Sequence, residues 1–402
     1  MRMNVLRLSV LGMTVAAGAP ALGQQTERVV VGTVSAPSGI GGSSNSLSRE
    51  TVQRMSETLG LDEIQLEVAL EMFREFVSER QELGDRMRRD IESARRDVED
   101  GDFSAMMTKI QEVTGGHQQS VKVLESTFLE DVQAILTPEQ AEAWPRAERI
   151  HRRAKHLGSL TRAEARVDLD ELVREEFVQQ ADQVAVSDAV ERWAVQVDGL
   201  LVERARKAED IGGPGFQGGV FFLEAEDDPY EPLRALDGRI AAASRQAVRS
   251  LAGVLEDDAV EAAFVRRAFA RVYRQTDGER RLEAAQALAS LTDEQRGQLD
   301  AAADQWARDV GPARERWVAA EREREEDDRM PPGVMIVVQG QEPTDSEKAR
   351  DAVKELDERL EARIASILSE QQLAELPAQS APEQAFELDV PAATGRSIRM
   401  RR

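Results

Sequence analysis

The sequence predicts an all-α fold made of long antiparallel helical hairpins. Three observations predict it. Apolar residues recur at alternating steps of three and four, a rhythm shared with coiled coils that keeps one helix face dry. Charged residues make up 32% of the 402 and aromatic residues only 4%, a balance that suits amphipathic helices better than a sheet-rich core. Similar segments open and close the periodic stretches three times along the chain.

The N-terminus comes before the periodic part. Arg2 and Arg7 precede an apolar run, Leu8 to Ala19, and Ala21-Leu22-Gly23 places small residues where a signal peptidase cuts. That is the three-part pattern of a secretory signal peptide over residues 1–23, and the run is short for a membrane span. The expectation is an exported protein, periplasmic or extracellular, with no transmembrane anchor after cleavage. Residues 24–46 read as a flexible linker rich in Gly and Ser, with a short β-type run at Val29–Val31.

The first periodic stretch carries Leu61, Ile64, Val68, Met72, Phe76, Leu83, Met87, Ile91 and Val98 on one stripe. Asp100-Gly101-Asp102 interrupts it. Val121, Leu124, Phe128, Val132 and Ile135 then return, with a break or kink expected at Gly115-Gly116. A second pair follows: Val190, Trp193, Val197 and Leu200 outward, then Leu233, Leu236, Ile240, Ala247, Leu251 and Val254 back. In the third, Leu299, Ala303, Trp306, Val310, Ala313, Trp317 and Ala320 face Ala349, Val353, Leu356, Leu360, Ile364 and Ile367. Gly311-Pro312 is expected to kink the outgoing helix, because Pro removes a backbone donor.

Outgoing helices open near LGLDEIQ (59–65), VDLDELV (167–173) and SLTDEQ (290–295), and return helices close with AILTPEQ (134–140), GVLEDDA (253–259) and SILSEQQ (366–372). The reading is three divergent repeats of about 115 residues, a period that fits a duplicated helical hairpin. They are helical unit 1 (47–160), helical unit 2 (161–278) with a tip insertion at 211–230, and helical unit 3 (279–376) with a tip insertion at 328–345. Residues 377–402 read as an unpatterned, disordered tail. Each insertion carries a short β-prone run: Val220, Phe221, Phe222 and Leu223 in one, Val334, Met335, Ile336, Val337 and Val338 in the other. These are candidate partner-binding tips, and a loop tucked against its own hairpin is the plainer alternative.

No catalytic, cofactor or metal site is assigned. The chain has no Cys, which excludes thiol catalysis, Cys-ligated zinc and iron–sulfur chemistry. Of three His residues, only His151 follows a Glu by three positions (Glu148), whereas di-iron bundles need two such pairs. His151 therefore reads as solvated on an Arg-rich helix. The acidic runs at Glu224–Asp228 and Glu325–Asp328 lack the spacing and central Gly of a calcium loop. A net charge of −23 disfavours nucleic acid and anionic lipid as partners. Trp193, Trp306 and Trp317 lie on apolar stripes and read as core.

One short motif recurs: Leu-Thr-x-x-Gln at Leu136–Gln140 and Leu291–Gln295, with Ser for Thr at Leu368–Gln372. Thr137, Thr292 and Ser369 are read as helix N-caps, with Gln140, Gln295 and Gln372 reaching back to the cap. On these residues and its exported helical character, the chain resembles the Leu-Thr-x-x-Gln family of periplasmic proteins, the Spy-like stress chaperones. The resemblance implies an all-helical protein that holds unfolding clients without ATP, in that family as cradle-shaped dimers. This chain departs from the family in its length, acidity and three hairpins. The functional expectation is a non-enzymatic exported binding protein, with protein partners or unfolded clients and no cofactor. The alternatives are an envelope scaffold binding one protein through its tips, and a hydrolase using scattered carboxylates.

Overall fold

The computed structural model describes residues 47–97, 103–177, 183–212, 230–327, 343–378, 386–388 and 398–400. The signal-like segment, the linker and both β-prone tip runs, Val220–Leu223 and Val334–Val338, lie outside the described residues.

The fold is all-α. A short helix α1 (Arg49–Leu59) leads into the first hairpin, α2 (Glu63–Asp97) and α3 (Phe103–Ala134), followed by α4 (Pro138–Ala141) and α5 (Trp144–His156). Two 3-10 turns, Leu157–Ser159 and Ala163–Arg166, lead to α6 (Leu169–Phe177) and the second hairpin, α7 (Gln183–Gly212) and α8 (Glu231–Leu255). Then come α9 (Ala259–Ala268), α10 (Ala270–Tyr273) and α11 (Asp277–Gln286). The third hairpin is α12 (Asp293–Asp327) with α13 (Asp345–Ile367), closed by α14 (Glu370–Ala374). Past α14, Phe386–Leu388 pairs antiparallel with Ile398–Met400, within the segment read from the sequence as an unpatterned tail.

Capping fixes where these helices begin. Ser48, Thr276 and Thr344 are N-caps in extended backbone, each accepting a hydrogen bond from the main chain three residues on; such a cap contributes about 1 kcal/mol. α1 ends at Gly60, whose φ of 62° lets its own N–H and that of Leu61 turn back onto Glu57 and Ser56.

The long helices pack in pairs because each presents one apolar face, and covering it removes area worth about 25 cal/mol per Å². The buried apolar side chains form three clusters. The first spans Leu47 to Ile150 and centres on Phe73, Phe76 and Phe128, with ring centroids 5.5 to 6.2 Å apart. The second spans Leu157 to Phe264 around Trp193 and Ile240, and the third spans Phe269 to Leu376 around Trp306 and Trp317.

Three details differ from the sequence reading. Ile64 is 74% exposed and Val68 38%; Phe76 and Ile91 of that stripe are buried, and Ala69 and Phe73, one step around the helix, complete the core face of α2. Gly115-Gly116 does not break α3, which runs on to Ala134. His151 is buried, not solvated, because Glu125 of α3 meets it at 2.6 Å.

Candidate functional site

Two polar constructions stand out: paired glutamines at the roots of the outer hairpins, and ion pairs joining the units.

At the root of the first hairpin, Thr137 Oγ1 accepts from Gln140 N at 3.3 Å, and Gln140 Oε1 accepts from Thr137 N at 2.9 Å. Asp62 and Gln65 make the same reciprocal cap at the start of α2. The two glutamines then meet. Gln65 Nε2 donates to Gln140 Oε1 at 2.9 Å, Gln140 Nε2 donates to Gln65 Oε1 at 2.8 Å, and each amide also donates to a backbone carbonyl opposite, Ile135 or Gly60. Both donors and the acceptor of each side chain are thus engaged.

The third hairpin repeats the arrangement. Thr292 and Ser369 cap with Gln295 and Gln372, and Gln295 Nε2 donates to Gln372 Oε1 and to Ile367 O. Gln372 Nε2 donates back to Gln295 Oε1 and to Ser290 O. In the middle unit the corresponding segments place Val173 and Ala259 where the others have glutamine. Val173 is buried there. Asp170, in the cap register of Asp62, turns to arginines instead.

One of them, Arg174, is four residues on in α6; the other two come from the first unit. Arg54 of α1 donates to Asp168 at 3.1 Å and Asp170 at 2.9 Å, and Arg153 of α5 reaches both at 3.3 Å while its guanidinium lies 5.3 Å over the Trp193 ring. Burial pushes the Asp170 carboxyl up, but Arg174, Arg54 and Arg153 outweigh it and hold the group below the usual range. Further along, Arg152 grips Asp198 of α7 through two bonds, Arg149 meets Glu191, and Lys122 of α3 meets Glu209. Between the second and third units, Glu164 is 2% exposed and takes Arg245 of α8 and Arg322 of α12. Glu325 of α12 accepts from Ala163 N at 3.0 Å.

The described concavities are shallow. An open cleft of about 330 Å³ is lined by Tyr273, Glu279, Glu283, Trp306 and Arg314. Glu283 accepts from Gln275 Nε2, and Glu279 is fully committed: it accepts from Thr276 N, Trp306 Nε1 and both terminal nitrogens of Arg314, at 2.8 to 3.1 Å. Burial raises its pKa, and these donors outweigh that and lower it. That is the environment of a structural carboxylate, not of a proton donor poised near neutrality. Among the described residues no group of three or more His, Asp or Glu is arranged to hold a metal. No described helix is long and apolar enough to cross a membrane.

Thr137, Gln140, Thr292, Gln295, Ser369 and Gln372 are therefore brought together in two clasps, while the tip runs lie outside the described residues. The sequence reading missed Gln65, although Leu61-Asp62-x-x-Gln65 is the same motif with Asp as the cap. It also missed Arg54, Glu125, Arg153, Glu164 and Asp168, which carry no local signal because their partners come from other helices. No family model, curated protein or solved structure matches this chain.

Proposed function

We propose that the chain is an exported, non-enzymatic helical binding protein that holds unfolding clients without ATP. One observation carries this reading. Val184, Val195 and Val202 stand 73%, 52% and 41% exposed on one face of α7, opposite the side that fills the core. Spacings of eleven and seven put them in a row. Asp188 stands exposed beside that row, and Glu191 is taken by Arg149 of α5. Ile64, Val68 and Val123 are exposed on the first hairpin as well.

Apolar side chains on a helix whose own core is already complete are available to another chain. Asp188 beside the row and the net charge of −23 keep such a surface soluble and favour weak, reversible contacts. The cap motif and the signal-like N-terminus support the same reading. The test is light scattering from a chemically denatured client diluted into buffer without nucleotide. Suppression at several-fold molar excess of this protein is expected; undiminished aggregation removes the proposal. Tight one-to-one binding to a single folded partner would instead favour the scaffold.

A further inference from the structure

The open cleft of the third unit is assembled from three helices. Glu279, Leu282, Glu283 and Gln286 share one face of α11, three, four and seven residues after the first of them. Tyr273 ends α10, Gln275 follows it, and Trp306 and Arg314 come from α12.

The donors of this cleft are largely spent, and several acceptors are not. Trp306 Nε1 and both terminal nitrogens of Arg314 are given to Glu279. Gln275 Nε2 donates to Glu283 Oε2 at 3.0 Å, and Gln286 Nε2 donates to Asp300 at 2.9 Å. An ionised carboxylate only accepts, so each contact fixes the amide with its nitrogen toward the acid and leaves its oxygen over. Among the described residues, Glu283 Oε1 and the side-chain oxygens of Gln275 and Gln286 accept from nothing.

Charge is unbalanced in the same sense. Arg314 and Glu279 answer each other. Arg280, one turn before Glu283, is taken by Asp277. Glu283 is exposed and makes no ion pair among the described residues. The cleft therefore keeps one unanswered negative charge, beside the apolar surfaces of Tyr273, Leu282 and Trp306.

We propose that this cleft receives an arginine side chain of another polypeptide, its methylene stem against Tyr273, Leu282 and Trp306 and its guanidinium directed to Glu283 and the two glutamine oxygens. A guanidinium carries five donors in one plane and no acceptor, which suits a lining with acceptors to spare. An anion would meet the Glu283 charge, and an apolar group would leave the amide oxygens dry and unpaired. A volume of about 330 Å³ is at the small end for ligand pockets, in keeping with one side chain. The net charge of −23 draws cationic segments toward the chain, and the cleft gives one of them a seat. No residue of the α7 row lines the cleft, so this inference stands or falls separately from the holding of clients.

The probe is N-acetyl-arginine amide, titrated through the millimolar range into the nitrogen-15-labelled full chain. The four Trp residues give four indole N–H signals. The Trp306 signal, assigned by its loss in Trp306→Phe, should move saturably while those of Trp144, Trp193 and Trp317 stay in place. N-acetyl-citrulline amide has nearly the same shape without the charge and should bind about tenfold more weakly; Glu283→Gln should weaken the arginine amide by about as much. Glu283→Gln removes one of 75 acidic residues, so a general attraction to the acidic surface would survive it. Should Glu283→Gln not fold, the citrulline amide decides on the parent protein. Equal binding of the two amides, an unchanged titration in folded Glu283→Gln, or no selective movement of the Trp306 signal overturns the proposal.

Discussion

Gln65 and Gln140 each donate to the other's side-chain oxygen across the root of the first hairpin, at 2.9 and 2.8 Å, and Gln295 and Gln372 repeat this at 3.0 and 3.3 Å in the third. The residues are 75 and 77 positions apart in sequence. A paired amide of this kind contributes modestly when intact and costs more when half removed. Gln140→Ala should therefore destabilise the first unit by about 1–3 kcal/mol, since it strands Gln65 and the Gly60 carbonyl. Gln65→Val with Gln140→Ala, the pair found in the middle unit, should cost less than the sum of the single changes. A double-mutant cycle by urea unfolding reads the difference; strict additivity would show that the glutamines do not act together.

Glu125 gives the stability of the first unit a pH dependence of definite sign. Burial alone would raise its pKa, but the hydrogen bonds from His151 and Lys155 outweigh this and hold it at about 2. A carboxyl whose folded pKa lies below its unfolded value adds stability that is full above the unfolded pKa and is lost as pH falls through the folded one. Glu125→Gln should cost about 3 kcal/mol at pH 7, in the manner of a broken buried pair. The penalty should shrink below the ordinary Glu value of 4.5 and vanish near pH 2. Denaturant melts of both proteins at several pH values check this, and a pH-independent gap would contradict it.

Two glycines should respond to alanine with opposite signs. A Cβ on Gly278 would press on Asp357, whose Oδ1 accepts from Gly278 N and from the Thr276 hydroxyl. Those bonds hold the carboxylate in place, so Gly278→Ala should destabilise by about 1–3 kcal/mol. Gly297, in the first turns of α12, has open space where a Cβ would go. Gly297→Ala should stabilise by about 0.5–1 kcal/mol through helix propensity. Thermal melts of the two variants against the parent decide both.

The valine row on α7 makes the binding proposal specific. Replacing Val184, Val195 and Val202 by Ser removes exposed apolar surface without entering a core, so the melting temperature should hardly move. Suppression of client aggregation should drop several-fold. Full retention of suppression would place the contact surface elsewhere.

Much of the architecture was legible because burial leaves a periodic trace. Trp193, Trp306 and Trp317 lie in the core, and the facing stripes of the second and third hairpins meet as read. The first stripe slipped at Ile64 and Val68 because the period only says that a face is apolar. Where two candidate faces lie side by side, the aromatic residues Phe73 and Phe76 decide which goes inward. The polar contacts were far less legible. His151 looked solvated because its neighbours on the helix are arginines; the carboxylate that buries it stands 26 residues away on α3. Gln65 escaped notice because Asp62 takes the capping place that Thr and Ser fill elsewhere, though any of the three supplies the needed oxygen. Arg54 meets Asp168 from 114 residues away, and nothing local marks either partner.

The root of the middle unit has a mechanical corollary. An amide clasp closes a hairpin on itself, whereas Asp170, in the register where Asp62 caps, is bonded to Arg54 and Arg153. With Val173 and Ala259 at the glutamine positions, that segment is fastened to the helices before it, so removing the two arginines should loosen it there while leaving both outer clasps intact.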